Sequence, residues 1–167
     1  MTCRGVHFAL TAEEVEQLRS FEDDDERVEY LSEEIEEMYF DRHPEFVAES
    51  DKAWDAIHRA LADGELTWEG GEYPLNHVIL GGELLCSGDD YVMSLKTPEQ
   101  VREIAAVLPA IGEEEFRQRY LAIDPDNYEQ GLSDDDLQYT WDWFQDVRAF
   151  YLRAAQHGRY VLFTVDQ

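Results

Sequence analysis

Two apolar runs with the period of a strand stand at opposite ends of this chain, and the stretch between them is mostly helical in pattern. From Cys3 to Leu10, Val6, Phe8 and Leu10 alternate with more polar positions, as in a half-buried strand. Tyr160 to Val165 is a second apolar run that finishes the chain as a strand. Strands at both termini tie the ends into one sheet, so the chain is predicted to form a single cooperative domain over residues 1–167.

The interior supplies helices with clear starts and stops. Thr11-Ala12-Glu13-Glu14 has the pattern of a capping box, and the helix it opens runs to about Ser20 with Val15 and Leu18 buried. The acidic run Glu22-Asp23-Asp24-Asp25-Glu26 would oppose a helix interior but favours a helix start, because carboxylates complement the positive end of the macrodipole. Val28, Leu31, Ile35 and Met38 then place a second helix over about 25–40, and Pro44 marks a break. Trp54, Ile57, His58 and Leu61 share one face of a third, which Ser50 can cap and Gly64 can end. Thr97-Pro98-Glu99-Gln100 combines a threonine cap, proline at the first helical position and a glutamine that reaches back. A short helix follows from Glu113 to Tyr120. A long one starts at Ser133-Asp134-Asp135-Asp136 and stops at Gly158. In the middle, Leu75–Leu80 and Glu83–Cys86 read as short strands joined by a Gly81-Gly82 hairpin turn, with Tyr91–Leu95 as another. The fold class is therefore α+β, a small mostly antiparallel sheet with five to six helices packed around it.

Charge bounds the partners. Thirteen Lys and Arg against 39 Asp and Glu leave a net charge of −26. That field rules against nucleic acid and anionic lipid, which need positive surface; the acidic excess reads either as solvation that keeps the protein soluble or as steering of a basic protein partner or cation. No stretch approaches the roughly 20 apolar residues of a membrane span, and the N-terminus has no signal-peptide pattern, so the expected compartment is cytoplasmic. Two distant cysteines, Cys3 and Cys86, make neither a zinc site nor a disulfide framework. Phosphate-binding glycine loops, HExxH and GxSxG are absent. Asp124-Pro125-Asp126-Asn127 reads as a turn, because Tyr128 and Glu129 do not fit a calcium loop. Asp89-Asp90 reads as a loop. No cofactor or metal is expected, and the chain is expected to be a monomer or weak homodimer.

One constellation carries chemistry. In Asp51-Lys52-Ala53-Trp54-Asp55-Ala56-Ile57-His58, helical spacing brings carboxylates and an imidazole onto adjacent rows, where a carboxylate can fix the imidazole tautomer. His58 lies among Trp54, Ile57 and Leu61, so a structural histidine is the competing reading. With His77, the Gly81-Gly82 turn and Tyr91, these residues are the candidate ligand-binding set: Asp51, Lys52, Trp54, His58, His77, Gly81, Gly82 and Tyr91. No catalytic residue is identified.

The same blocks carry a resemblance. Asp51-Lys52-Ala53-Trp54 with Ile57-His58 and Leu61, then Pro74-Leu75 leading to Leu80-Gly81-Gly82, and the ending Phe150-Tyr151, Ala154-Ala155 and Gly158, resemble the YfbM-like family of bacterial domains of unknown function. The resemblance runs from about Gly5 to Val165 and implies a small α+β domain. It brings no catalytic residue, cofactor or substrate. The acidic run 22–26 and the segment 124–136 lie outside it. The leading functional expectation is a small acidic binding or inhibitory protein, in the manner of immunity proteins, that engages a basic partner. The alternative is a small-molecule-binding enzyme or sensor with a pocket between the Trp54/His58 helix and the Gly81-Gly82 turn.

Overall fold

A computed structural model describes residues 3–86 and 90–166. The two terminal runs become neighbours. Strand β1 (Gly5–Leu10) pairs antiparallel with the last strand, β5 (Tyr160–Asp166), in an unbroken register from Gly5↔Val165 to Leu10↔Tyr160. Around them the sheet is completed by β2 (Val47–Asp51), β3 (Glu83–Cys86) and β4 (Tyr91–Lys96) in the order β2-β1-β5-β4-β3, every pair antiparallel.

Strand alternation sorts the side chains onto two faces. Phe8, Leu162, Met93 and Tyr91 face one side. His7, Phe163, Ser94 and Lys96 face the other. The first side is covered by α1 (Ala12–Ser20) and α2. Helix α2 runs without a break through Asp24–Tyr30, a π segment Leu31–Glu36 and Glu37–Arg42. Leu31 and Ile35 of the π segment and Tyr39 of the turn after it, spaced by four, are all buried. Tyr39 meets the Phe8 ring edge-on at 6.0 Å. The second side carries α3 (Trp54–Leu61), α4 (Pro98–Val107), α5 (Glu113–Leu121) and α6 (Asp134–Gln156). Here Trp54 packs on Phe163 at 5.8 Å, and Phe116 stacks on Phe144 at 4.8 Å. The core is continuous through the sheet, with Phe8, Leu10, Phe116, Phe144 and Leu162 all fully enclosed.

The predicted helix starts are present. Thr11 with Glu14, and Thr97 with Gln100, form complete capping boxes, and Ser133 caps α6 by accepting from the Asp136 N–H. Asp23 caps α2, so the acidic run falls on that helix's first turn, where the macrodipole stabilises it.

Three expectations are corrected. Ser50 does not cap α3: it lies in β2, a strand absent from the sequence reading, and its hydroxyl donates to the Gly5 carbonyl at 3.3 Å. Leu75–Leu80 is not a strand. Leu75–His77 is a 3-10 turn, and the segment crosses the helical side of the sheet with its carbonyls pointing inward at side chains, not at a neighbouring strand. The Gly81-Gly82 pair therefore closes no hairpin. It has the positive φ angles expected, 92° and 81°, but leads from this segment into β3. Of the Asp89-Asp90 pair, Asp89 lies outside the described residues. Among the described residues, no helix is long and apolar enough to cross a membrane.

A Cβ added at Gly82 would run into the Leu95 carbonyl, whereas one at Gly131, also at positive φ, meets open space. Gly82→Ala is therefore expected to cost about 1–3 kcal/mol of stability, measured by urea unfolding, and Gly131→Ala less. Equal losses at the two positions would mean that the close approach to β4 contributes nothing.

Candidate functional site

The segment Val78–Gly82 lies over a pair of polar side chains that the alternation of β4 turns inward, Ser94 and Lys96, both fully buried. The Lys96 Nζ donates to the Ile79 carbonyl and to Ser94 Oγ at 2.6 Å, while the Ser94 hydroxyl donates to the Gly81 carbonyl at 2.5 Å. From β1, His7 Nε2 donates to the Val78 carbonyl at 2.9 Å, and from α6 the Tyr151 hydroxyl donates to the same oxygen at 2.6 Å. Four side chains from three elements thus satisfy three inward-facing carbonyls of one irregular segment.

Burial sets the protonation of this centre. Among the described residues Lys96 has no carboxylate partner, and desolvation holds its amine well below the usual lysine range. His7, enclosed and beside Lys96, is lowered to about 3 by burial first and the lysine second. A carbonyl only accepts, so His7 carries its proton on Nε2, and its Nδ1 lone pair is left without a partner. Burial pushes the Tyr151 hydroxyl well up, so it stays a donor. With no exposed surface, the Lys96 amine and the Ser94 hydroxyl bond protein groups alone.

The candidate residues divide between this centre and the surface. His58 is buried on α3 and bonds the Thr67 carbonyl through Nε2 at 2.7 Å. Its pKa is lowered by burial, and Lys96 contributes to that lowering, as it does for His77 on the 3-10 turn. With Gly81, these two histidines gather around a lysine that the sequence reading did not single out. Trp54 is buried on the same side of the sheet, its indole N–H donating to the Cys3 carbonyl at 2.8 Å. Tyr91 does not join them. Its register opposite Asp166 turns it to the α2 side, so it cannot share a cavity with Trp54 across the sheet. The expected meeting of Asp51, Asp55 and His58 does not occur either. Asp55 pairs with Arg59 at 2.5 Å, and Asp51 pairs with Arg4 at 3.3 Å and accepts from Tyr139 at 2.7 Å. The signal for Lys96 was present: a rare lysine two positions after a serine in an otherwise apolar strand. One of only two lysines in the chain is inside the protein.

Two surface features stand apart from the core. Between Glu22 and Glu37 the chain carries ten carboxylates and one base, Arg27. Arg27 is turned inward, where it donates to the carbonyls of Leu18, Phe21 and Leu85 and pairs with Asp24 at 2.5 Å. The outer face of α2 is left with Glu26, Glu29, Glu33, Glu34 and Glu37, all exposed, and ends at the exposed ring of Phe40. The second feature is a polar cleft of about 390 Å³ between Lys52 and the start of α6, where Tyr128, Tyr139, Asp135 and Asp136 converge. Asp51 and Lys52 thus border a surface cleft, not the Trp54/His58 interior. Among the described residues, no group of three or more His, Cys, Asp or Glu side chains is arranged to hold a metal ion.

A pH dependence follows for the buried centre. The folded-state pKa of His7 lies below its unfolded value, so the unfolded chain binds more protons between about pH 6.5 and 3, and stability falls as pH drops through that window. The loss approaches about 1.4 kcal/mol per pH unit from this residue. His7→Gln, whose amide can donate from nearly the same place, is expected to flatten that part of the slope in urea unfolding at successive pH values. An unchanged acid slope would show that His7 is not held neutral.

No curated protein matches this chain in sequence. A solved structure, of a protein of unknown function, YfbM from Escherichia coli, is similar to it with a TM-score of 0.68, 20% identity and coverage of 99% of both chains. At that identity the likeness shows the fold alone. It is the same α+β arrangement over the full length of this chain. A family model matching residues 1–164 agrees with that extent: the chain belongs to the family described as a domain of unknown function, DUF1877.

Proposed function

We propose that this protein is a binding module, inhibitory in the manner of immunity proteins, that engages a basic protein partner through the outer face of α2. The observation that carries the reading is the inward turn of Arg27, which removes the only base between Glu22 and Glu37 from that face. Carboxylates held on one rigid helix face present a concentrated negative potential, which steers and orients a positively charged surface. Phe40 at the end of the face adds an apolar contact where a polar rim surrounds it. The buried centre around Lys96 supports this division of labour: its polar groups are spent holding the fold, while the unpaired charge lies outside.

The immobilised protein is expected to retain a basic protein from lysate at about 0.1 M salt and to release it at about 1 M, where charges are screened beyond a few ångströms. Neutralising Glu26, Glu29, Glu33 and Glu37 to Gln should abolish retention, and the same change at Glu113, Glu114 and Glu115 of α5 should leave it. Retention of nothing basic at low salt, or equal loss from both variants, overturns the reading.

A further inference from the structure

The cleft beside Lys52 has its own chemistry, independent of the α2 face. Its central carboxylate, Asp136, accepts hydroxyls from Tyr120 and Tyr128, each at 2.7 Å and both on the same oxygen, Oδ2. Both tyrosines are held protonated, by burial first and by Asp136 second, so they act as fixed donors that keep Asp136 an acceptor. The other oxygen, Oδ1, enters no hydrogen bond among the described residues, and no Arg, Lys or His there pairs with Asp135 or Asp136. One turn along α6 the Tyr139 ring is held in place: its hydroxyl donates to Asp51 at 2.7 Å and accepts from the Lys52 backbone N–H at 3.3 Å. Asp51 takes that position at φ 47°, the one non-glycine residue with positive φ among those described.

The cleft thus offers a carboxylate oriented by two hydroxyls with one oxygen free, a second carboxylate beside it, and one aromatic wall, Tyr139. A planar cation with several N–H donors matches all three: it bridges carboxylate oxygens by charge-assisted hydrogen bonds and stacks on tyrosine. An anion would meet two carboxylates and a single lysine. We propose that this cleft is a binding site for a guanidinium group, carried either by a free small molecule or by an arginine of a polypeptide. Asp136 and Asp135 take the N–H donors, and the Tyr139 ring borders the plane; Tyr128, buried with Arg59 over its ring, only orients Asp136.

Calorimetry on the full chain with L-arginine, the peptide Gly-Arg-Gly and L-citrulline tests it. Arginine and the peptide are expected to bind and citrulline, which has nearly the same shape without the charge, to bind at least about tenfold more weakly. Tighter binding of free arginine assigns the site to a small molecule, and tighter binding of the peptide assigns it to a polypeptide. Asp136→Asn keeps an acceptor for the tyrosines and should weaken arginine about tenfold. Asp135→Asn, an exposed position, should weaken it several-fold without affecting the unfolding midpoint, which keeps the test valid if the first variant folds poorly. Glu113→Gln with Glu114→Gln on α5, outside both the cleft and the α2 face, should leave arginine binding unchanged, and loss of arginine binding in the cleft variants is read independently of retention through α2. Binding of citrulline as tight as arginine, no binding of either guanidinium probe, or arginine binding unchanged in Asp135→Asn overturns the proposal.

Discussion

Backbone carbonyls that point into a protein interior must each find a donor, and in this fold that requirement falls on a single irregular segment. Val78, Ile79 and Gly81 turn their oxygens toward the helical side of the sheet, where there is no neighbouring strand to bond them. An unmade bond in such a place costs about 1–3 kcal/mol. Four side chains meet the demand, from the first strand, the fourth strand and the last helix. The segment is therefore held in place by elements distant from one another in sequence. Lys96 is central because a long, flexible amine can reach a carbonyl that no shorter donor on the strand could. Its desolvation is the cost of that reach.

The consequence is a molecule with its polar chemistry divided in two. Inside, His7, His58, Ser94, Lys96 and Tyr151 are enclosed and bound to backbone oxygens, with the histidines and the lysine lowered by burial. Outside, carboxylates outnumber bases, and two arginines that might have balanced them are themselves withdrawn. Arg27 is inward under α2, and Arg59 is buried between Asp55 and the ring of Tyr128 at 5.5 Å. The net charge thus understates the outer field: bases are spent in the interior while acids remain at the surface, on α2 and at the start of α6.

The helices were legible because their signals are local. Thr11 and Thr97 with their partners three residues on, Ser133, and the apolar spacing of Val101, Ile104 and Ala105 act within a turn or two, so sequence order is also spatial order. The acidic run at 22–26 became a helix start for the same reason. The first strand could be read from alternation and the last from its continuous apolar run, and their pairing followed from the need of both to find a partner. Strand β2 could not. Val47 to Asp51 has no clear apolar alternation, and it exists because β1 leaves an edge to be paired. Leu75–Leu80 misled in the opposite direction: an apolar run of strand length became a 3-10 turn and strap because its bonds go to side chains.

The candidate site shows the same boundary. His58, His77 and Gly81 were named from sequence, yet the lysine whose charge reaches both histidines was not, since it bonds the Ile79 carbonyl 17 residues upstream, as its neighbour Ser94 bonds Gly81 13 residues upstream. Tyr91 follows the Gly81-Gly82 turn closely in sequence, but strand parity places it on the face opposite Trp54. By itself, then, the sequence determined the helix boundaries, the strand-like ends, the α+β class and the excess of negative charge, all consequences of spacing within a few residues or of composition. Only the tertiary structure decided which face each strand residue occupies, which bases are withdrawn from the surface, and which carboxylates are left unpaired. Those outcomes depend on register and on contacts between residues far apart in the chain, which no local pattern encodes.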